Sequence, residues 1–226
     1  LVIDSKNDNL NRNNFNASAA AVSGFSMFAN EVVYLLDKDR FIDYVNLNNF
    51  LNKHSKSKFL VFGFTYNIFL NLINQLKINK LSQKNFSKAF LIHGGGWKKI
   101  EKQKIKRGTF NELLNKKLNI KNVINYYGLV EQIGSIFFEC KCGYFIASNF
   151  SEIIIRDENF KECKDGESGI IQLISLLPTS YPGHNILTED VGEIVKNHNC
   201  TCYGYGKRFL IHGRLKDAEL RGCSNI

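Results

Sequence analysis

Short apolar runs alternate with helical segments over the first part of the chain, and this alternation constrains the fold more than any other feature. The apolar runs cover residues 58–64, 88–93 and 123–127. Continuous apolar runs of this length are typical of strands that are buried on both faces. Segments with helical spacing, at 67–76 and 109–118, separate them. The pattern therefore predicts an α/β fold with a parallel sheet and covering helices.

Two further helices are predicted upstream of this sheet, over residues 17–36 and 41–51, the first because it is rich in alanine. After about residue 139 the character changes. Strand candidates at 152–156, 169–176, 192–195 and 209–212 follow closely, with glycine-containing turns between them. We therefore expect an α/β part over 1–138 that continues into a β-rich subdomain over 139–226.

A glycine-rich turn, Gly94-Gly95-Gly96, follows the second apolar run. Glycine lets the backbone approach a ligand closely, and ligands of open α/β sheets lie beyond the carboxyl ends of the strands. The surrounding residues fit neither the dinucleotide-binding pattern nor the phosphate-binding P-loop. An ordinary tight turn is therefore the alternative interpretation.

The next strand is followed by Tyr127, Gly128 and, one helical turn later, Glu131. An aromatic ring can stack on a base, and a carboxylate can hold Mg²⁺ near phosphates. An ordinary strand-to-helix turn remains the alternative here.

Two later motifs carry charged candidates. Asp190 lies in a Thr-Glu-Asp segment that is predicted to be a turn between strands. There its carboxylate can accept hydrogen bonds from both hydroxyls of a ribose. Arg214 follows the last predicted strand and can reach a phosphate or a ribose. The alternatives are an Asx turn at Asp190 and a solvated surface arginine at Arg214.

The six cysteines include two C-x-C pairs, while Cys163 and Cys223 stand alone. The pairs are Cys140 with Cys142, and Cys200 with Cys202. Because no secretory signal opens the sequence, paired cysteines favour a metal site over disulfides.

Taken in order, these motifs resemble those of the adenylate-forming (acyl-activating) enzymes. The segments HGGGWKK, NYYGLVEQIGSIFFEC, SYPGHNILTEDVGEI and GRLKDAELRGCS look like the acyl-protein synthetase (LuxE-like) family. The resemblance runs from about Val61 to the C-terminus. It implies that the chain is the latter part of an adenylate-forming N-terminal domain.

The resemblance also implies a reaction. Family members use ATP and Mg²⁺ to convert a carboxylic acid, such as a fatty acid, to an acyl-adenylate, and then move the acyl group to a cysteine of the enzyme. The thioester is delivered to a partner protein, an acyl reductase. By this resemblance, the adenine would be flanked by Gly94, Gly95 and Gly96, and Tyr127 and Gly128 would contact the adenine and the phosphate. Glu131 would face Mg²⁺, Asp190 would bind the ribose hydroxyls, and Arg214 would contact the same nucleotide. Cys223 would be the acyl acceptor.

The cysteine pairs resemble a feature of the related phenylacetate–CoA ligase-like branch, in which an E-C-x-H element pairs with a later C-x-C. Here Cys142 stands where that pattern has histidine. Four thiolates can close a tetrahedral structural zinc site, although C-x-C is tighter than the usual ligand spacing. We therefore expect structural Zn²⁺ on Cys140, Cys142, Cys200 and Cys202.

A Ser/Thr/Gly-rich loop that grips the triphosphate is expected upstream in this superfamily, and these residues do not include one. We therefore expect the N-terminal phosphate-loop region to be missing, and this fragment alone to activate acids poorly. The chain ends three residues after Cys223, which favours the acyl-protein branch over an ordinary CoA ligase.

Two alternatives remain at this stage. One is a phenylacetate-type acyl-CoA ligase in which Cys223 is incidental. The other is a zinc-stapled module that binds nucleic acid, suggested by the net charge of +9. The second leaves the acid-activation motifs unexplained, so we expect no nucleic-acid partner. With no apolar run long enough to span a bilayer, we expect no membrane span and a cytoplasmic location.

Overall fold

The computed structural model describes residues 1–6, 17–81, 86–196, 199–202, 206–216 and 218, with the side chains of residues 17, 98 and 99 excepted. The chain forms two compact units, one from Leu1 to Ile124 and one that begins at Asn125. Among the residues described, no helix combines the length and apolar character that crossing a membrane would need. The domain boundary at 138/139 remains a prediction.

The secondary structure begins with strands and helices in alternation and ends with strands alone. The strands are β1 (Val2–Ser5), β2 (Tyr34–Leu36), β3 (Phe59–Phe64), β4 (Ala89–Gly94), β5 (Asn122–Tyr127), β6 (Phe137–Phe138), β7 (Phe145–Ile146), β8 (Ser151–Arg156), β9 (Gly169–Ser175), β10 (Asn185–Ile194) and β11 (Arg208–Arg214). The α-helices are α1 (Ala17–Ser26), α2 (Tyr44–Lys53), α3 (Thr65–Asn67) and α4 (Arg107–Leu118). A π-helix (Ile68–Gln75) and 3₁₀ turns (Ile78–Lys80, Lys98–Gln103, Val130–Gln132) complete the order.

The first sheet confirms the predicted α/β class. Its strand order is β2-β1-β3-β4-β5-β6, and β1 pairs in parallel with both β2 and β3. Strands β3 and β4 pair in parallel along their whole length. The last four residues of β3 are buried because helices of the first unit cover the sheet, as a parallel sheet requires.

Helix α2 shows why this sequence covers the sheet where it does. The Asp43 carboxylate caps the helix by accepting a hydrogen bond from the Asn46 backbone N–H at 2.9 Å. Three side chains at helical spacing, Leu47, Phe50 and Leu51, are buried in the apolar core of the first unit. The cap and the apolar face together place the helix against the sheet.

The long helix predicted over 17–36 is wrong in its second half. Helix α1 ends at Ser26, and β2 occupies Tyr34–Leu36 with Leu35 and Leu36 buried. The β-branched and aromatic residues that precede Leu35 favour an extended strand, and pairing with β1 outweighs the helical preference of the alanine-rich start.

The second unit contains an antiparallel sheet of order β7-β11-β10-β9-β8. Its core is aromatic and aliphatic, with Phe137, Ile153, Leu173 and Phe209 fully buried. The segment around Asp190 is not the predicted turn, because it lies inside β10. The register of β10 shifts against both neighbouring strands there, so polar residues fall on a bulge rather than in a loop.

Candidate functional site

The glycine-rich turn belongs to the first unit, where β4 ends at Gly94. Gly95 and Gly96 have φ of +75° and +60°, a left-handed conformation that favours glycine. A Cβ on Gly95 would also meet the Phe64 ring, with Cε1 at 2.9 Å. The turn thus exists as predicted, and its backbone needs glycine for a structural reason.

A buried histidine beside this turn was not singled out from the sequence. The Thr65 hydroxyl donates to the Gly94 carbonyl at 3.0 Å and lies 2.9 Å from His93 Nδ1. Since the hydroxyl has one proton, His93 Nδ1 donates to it. Burial, with the charge of Arg107, lowers the pKa of His93 to about 3, so the imidazole is neutral and ties α3 to the turn.

In the second unit, the structure brings Tyr127 and Asp190 together across 63 residues of sequence. The Tyr127 hydroxyl donates to Asp190 Oδ2 at 2.6 Å. The ring of Tyr127 packs among Phe137, Phe145 and Phe209, with centroid distances of 6.0–6.2 Å. An apolar cluster therefore holds the phenol that contacts the carboxylate.

Thr188 fixes the backbone that carries Asp190. Its hydroxyl donates to the Ile171 carbonyl of β9 at 2.8 Å and accepts from the Asp190 backbone N–H at 3.0 Å. These bonds occupy the bulge of β10, where the regular ladder is interrupted. The bulge therefore sets the direction in which the Asp190 side chain points.

Arg214, at the end of β11, completes the charged group. Its Nε lies 3.8 Å from Asp190 Oδ1, and its Nη2 donates to the Glu189 carboxylate. Strand pairing of β10 with β11 places Asp190 opposite Arg214. Two acids and one arginine thus meet at the same point of the sheet.

Burial shapes the titration of this group. Desolvation raises the pKa of Asp190 above its usual range, while the Tyr127 hydrogen bond and the Arg214 charge lower it. Desolvation, with the charge of Asp190, raises the pKa of Tyr127 well above 10. The Glu131 carboxylate adds a negative field at both groups. At neutral pH the phenol keeps its proton and donates a hydrogen bond to the Asp190 carboxylate, whose negative charge is less stable here than in water because of burial.

Glu131 stands in the 3₁₀ turn after β5, and the neighbouring Gln132 anchors that turn. Gln132 is fully buried, and its Nε2 donates to the carbonyls of Leu173 and Gly183 at 3.3 and 2.9 Å. A Cβ on Gly183 would lie 2.6 Å from the Glu131 carbonyl oxygen. Gly183 and Gln132 therefore fix the backbone of Glu131 and leave its side chain exposed.

Gly128 has a packing role in the structure. A Cβ at this position would lie 3.1 Å from the Ser135 carbonyl oxygen. The glycine therefore allows close approach of the chain segments that flank the Glu131 turn. Its predicted contact with adenine and phosphate remains a prediction.

The four cysteines of the two C-x-C pairs converge on one point in the second unit. Their Sγ atoms all lie within 4.8 Å of one another. Cys140 Sγ is 3.6 Å from Cys200 Sγ, and Cys142 Sγ is 3.7 Å from Cys202 Sγ. The first pair lies in the turn between β6 and β7, and the second in the connection from β10 to β11.

Arg208 stands beside this cluster. Its Nη2 donates to the Cys202 carbonyl at 2.9 Å. Desolvation raises the pKa of Cys200, but hydrogen bonds from Arg208 and from the neighbouring cysteines outweigh it and bring the pKa to about 6. Hydrogen bonding to Cys200 and Cys202 raises the pKa of Cys142 to about 12. Hydrogen bonding around Cys200 therefore favours its thiolate, whereas the hydrogen bonds of Cys142 keep that thiol protonated.

The structure brings two sets of the predicted site residues together. Tyr127, Asp190 and Arg214 meet, and the four cysteines meet. The glycine turn belongs to the first unit. Cys223, the predicted acyl acceptor, lies outside the described residues.

Solved structures with a similar fold are adenylate-forming enzymes. The luciferase-like enzyme of the nonluminescent Zophobas morio mealworm aligns with 91% of this chain and 48% of its own, at a TM-score of 0.57 and 15% identity. A second similar structure is that of O-succinylbenzoate coenzyme A synthetase from Bacillus subtilis, in complex with ATP and magnesium ion. It aligns with 88% of this chain and 40% of its own, at a TM-score of 0.57 and 14% identity. These likenesses confirm the α/β fold and show that the chain shares it with a part of each of these larger proteins.

Sequence comparison narrows the relationship. The long-chain-fatty-acid–luciferin-component ligase of Aliivibrio fischeri is 25% identical over 178 residues, which cover 76% of this chain and 46% of the relative. The chain thus matches less than half of that relative's length. The profile described as "Acyl-protein synthetase, LuxE" matches residues 1–226. The chain belongs to the LuxE acyl-protein synthetase family.

Proposed function

We propose that this chain forms part of an enzyme that activates a fatty or other carboxylic acid with ATP and Mg²⁺ and then transfers the acyl group to its own cysteine. The observation that carries the proposal is the meeting of Tyr127, Asp190 and Arg214 on the β10 bulge, in a chain of the LuxE family. The name of the Aliivibrio fischeri relative, a long-chain-fatty-acid ligase, supports a fatty acid as substrate.

The charged group suits a nucleoside better than a free acid. A carboxylate accepts hydrogen bonds from the two ribose hydroxyls, and a guanidinium binds the phosphate or ribose of the same nucleotide. Asp190 and Arg214 supply these two functions. The exposed carboxylate of Glu131 would hold Mg²⁺, the hard cation that suits oxygen ligands beside a phosphate. The turn at Gly94, Gly95 and Gly96 would contact the adenine.

The chemistry then has two steps. A carboxylate oxygen of the acid attacks the α-phosphorus of ATP, so pyrophosphate leaves and acyl-AMP forms. The thiol of Cys223 loses its proton, and the resulting thiolate attacks the acyl carbon, so the bond to AMP breaks, AMP leaves and a thioester forms. Arg221, two residues before Cys223 in the sequence, would favour the thiolate by its charge. The thioester would be passed to an acyl reductase.

Acid-dependent exchange of pyrophosphate into ATP tests the first step. The protein is expressed from the gene together with any coding sequence that precedes Leu1, and the 226-residue chain is assayed beside it. We expect exchange with a long-chain acid, and a loss of about a hundredfold in Asp190→Asn because a ribose contact to a charged group is removed. We expect poor exchange by the 226 residues alone, and robust exchange by them would contradict that expectation.

Coenzyme A separates this function from its alternative. If acyl-CoA accumulates while no acyl group is found on the protein, the enzyme is an acyl-CoA ligase. No exchange with any acid in the presence of Mg²⁺ would contradict acid activation altogether. Salt-dependent binding to any duplex, the signature of a nucleic-acid module, is not expected. A cytoplasmic location also remains a prediction.

We also propose that the cysteine cluster binds a structural zinc ion. With Zn–S bonds of about 2.3 Å, the edges of a regular tetrahedron measure about 3.8 Å. The measured distances of 3.6 and 3.7 Å, with all four sulfurs within 4.8 Å, fit such a site. When bound, zinc would connect the β6–β7 turn with the β10–β11 connection.

Metal analysis of the purified protein tests this proposal. We expect about one zinc per chain in the wild type and in Cys163→Ser, which changes a cysteine outside the cluster, and a strong loss in Cys142→Ser. Removal of zinc from the wild type by a chelator should lower the melting temperature. Purified wild type without zinc, and with melting unchanged by chelator, would contradict the site.

A further inference from the structure

The hydrogen bond between Tyr127 and Asp190 has a geometry that a base-stacking tyrosine does not need. The phenol oxygen is 2.6 Å from Asp190 Oδ2, at the short end for O–H···O bonds and typical of a charged acceptor. The ring has aromatic neighbours on several sides, and Phe137 lies at 34° to it. The hydroxyl, rather than a ring face, is therefore the part of Tyr127 that meets the charged group.

The other oxygen of the same carboxylate has a different environment. Asp190 Oδ1 lies 3.8 Å from Arg214 Nε, which is beyond hydrogen-bond distance. Arg214 instead donates to Glu189, its partner on the preceding residue of β10. One carboxylate oxygen is thus fixed by the phenol, and the second faces a guanidinium that is engaged elsewhere.

The backbone of Asp190 is fixed as well. The Thr188 hydroxyl accepts a hydrogen bond from the Asp190 N–H at 3.0 Å, and this bond restrains the backbone of the bulge at Asp190. With the backbone held by Thr188 and one oxygen held by Tyr127, the carboxylate has a single defined orientation. A side chain with a fixed orientation binds a ligand at a smaller cost in conformational entropy.

We propose that Tyr127 is a positioning residue whose hydroxyl fixes the Asp190 carboxylate, so that Oδ1 is presented to the ribose hydroxyls of the adenine nucleotide. The inference rests on the proposed function, because it assumes that Asp190 binds the ribose. It assigns Tyr127 a task distinct from contact with the adenine. The phenol acts on the ribose through Asp190 and does not touch it.

A comparison of ATP with 2′,3′-dideoxy-ATP isolates this task. Binding of each, with Mg²⁺, is measured by calorimetry on the wild type, Tyr127→Phe and Tyr44→Phe. Tyr44→Phe is the matched control, because its hydroxyl accepts a hydrogen bond from the Lys77 N–H at 2.9 Å and it belongs to the other unit. Both variants lose one hydroxyl and retain the ring.

We expect the wild type and Tyr44→Phe to bind ATP about tenfold more tightly than the dideoxy analogue, as loss of hydrogen bonds to a charged group implies. In Tyr127→Phe this preference should fall to about twofold, through weaker ATP binding with little change for the analogue. An undiminished preference in Tyr127→Phe would overturn the positioning role. A wild type that binds both nucleotides equally, or neither, would instead contradict the proposed ribose site.

A second measurement tests the hydrogen bond without any ligand. The carboxyl carbon of Asp190 is followed by ¹³C NMR as pH is changed. Arg214, Glu189 and Glu131 also act on this carboxylate and are unchanged in the variant. Since the phenol lowers the pKa of Asp190, we expect a higher pKa in Tyr127→Phe and no change in Tyr44→Phe. An unchanged pKa in Tyr127→Phe would overturn the inference even if nucleotide binding is weak.

Discussion

The two units supply candidate site residues of different kinds. The first contributes a backbone turn, Gly95 and Gly96, at the end of a parallel strand. The second contributes charged side chains, chiefly Asp190 and Arg214, on bulged antiparallel strands. A turn of glycines depends on local conformation, whereas the charged group depends on pairing between distant strands. The two are therefore sensitive to different mutations.

The units also differ in how burial acts on their ionisable groups. In the first, burial keeps the base His93 neutral and depresses its pKa. In the second, burial acts on the acid Asp190 and raises its pKa. Protonation of His93 therefore opposes folding of the first unit, whereas protonation of Asp190 removes a buried negative charge from the second. This contrast allows the units to be probed separately.

The largest expected effect comes from removing one core ring in each unit. Phe86 and Phe209 are both fully buried, one in each apolar core. Phe86→Ala and Phe209→Ala should each reduce the free energy of unfolding by about 3–5 kcal/mol, measured in urea. Because Phe209 packs 6.2 Å from the Tyr127 ring, only its loss should also weaken ATP binding by the folded protein. Equal losses of ATP affinity in both variants would contradict the expectation that only the core of the second unit supports ATP binding through Tyr127.

The next effect is the acid response of the first unit. The pKa of His93 is about 3 when folded and near 6.5 otherwise, so its contribution is complete above pH 6.5 and declines as pH falls. By pH 4 the loss in free energy of unfolding that is due to His93 amounts to about 3 kcal/mol. The fluorescence of Trp97, the single tryptophan, reports urea unfolding of this unit.

The matched variant for this measurement is His93→Gln, which can still donate a hydrogen bond but does not titrate. Between pH 7 and pH 4 it should lose about 3 kcal/mol less stability than the wild type. The difference between the two proteins removes the effect of the carboxylates that titrate in both. A wild type and a variant with the same pH dependence would show that His93 is not held neutral.

The smallest effect concerns the glycine turn. Gly95→Ala and Gly96→Ala both place a side chain at positive φ, and each should cost about 1 kcal/mol for that reason. Gly95→Ala also meets the Phe64 ring, whereas a Cβ on Gly96 has nothing within 4 Å. We therefore expect a further loss of about 1–2 kcal/mol in Gly95→Ala. Equal unfolding free energies in the two variants would mean that the ring moves aside freely.

Local signals in the sequence predicted much of this molecule. The apolar runs predicted β3, β4 and β5, and the glycines predicted the turn after β4. The resemblance to the phenylacetate–CoA ligase-like branch implied that the two C-x-C pairs act together, and their sulfur atoms do converge. For the strands and the turn, the evidence lay within a few neighbouring residues, where spacing or conformation is directly constrained.

What the sequence could not predict depends on long-range pairing. The sequence predicts a turn around Asp190, but neighbouring strands hold this segment in β10. The Tyr127–Asp190 bond joins residues 63 positions apart, so no local pattern could indicate it. Gln132 resembled any polar residue after a strand, and its anchoring of the Glu131 turn follows from the carbonyls that it meets. The one signal for this role in the sequence was the position of Gln132 next to Glu131, a candidate site residue.

Transfer of the acyl group to Cys223 can be detected directly by intact-protein mass spectrometry. The protein, expressed with any upstream coding sequence, is incubated with ATP, Mg²⁺ and long-chain acids, beside Cys223→Ser and Cys163→Ser. We expect one acyl adduct on the wild type and on Cys163→Ser, which hydroxylamine removes, and none on Cys223→Ser. An adduct that persists in Cys223→Ser, or AMP formation with no adduct on the wild type, would contradict acyl transfer to Cys223.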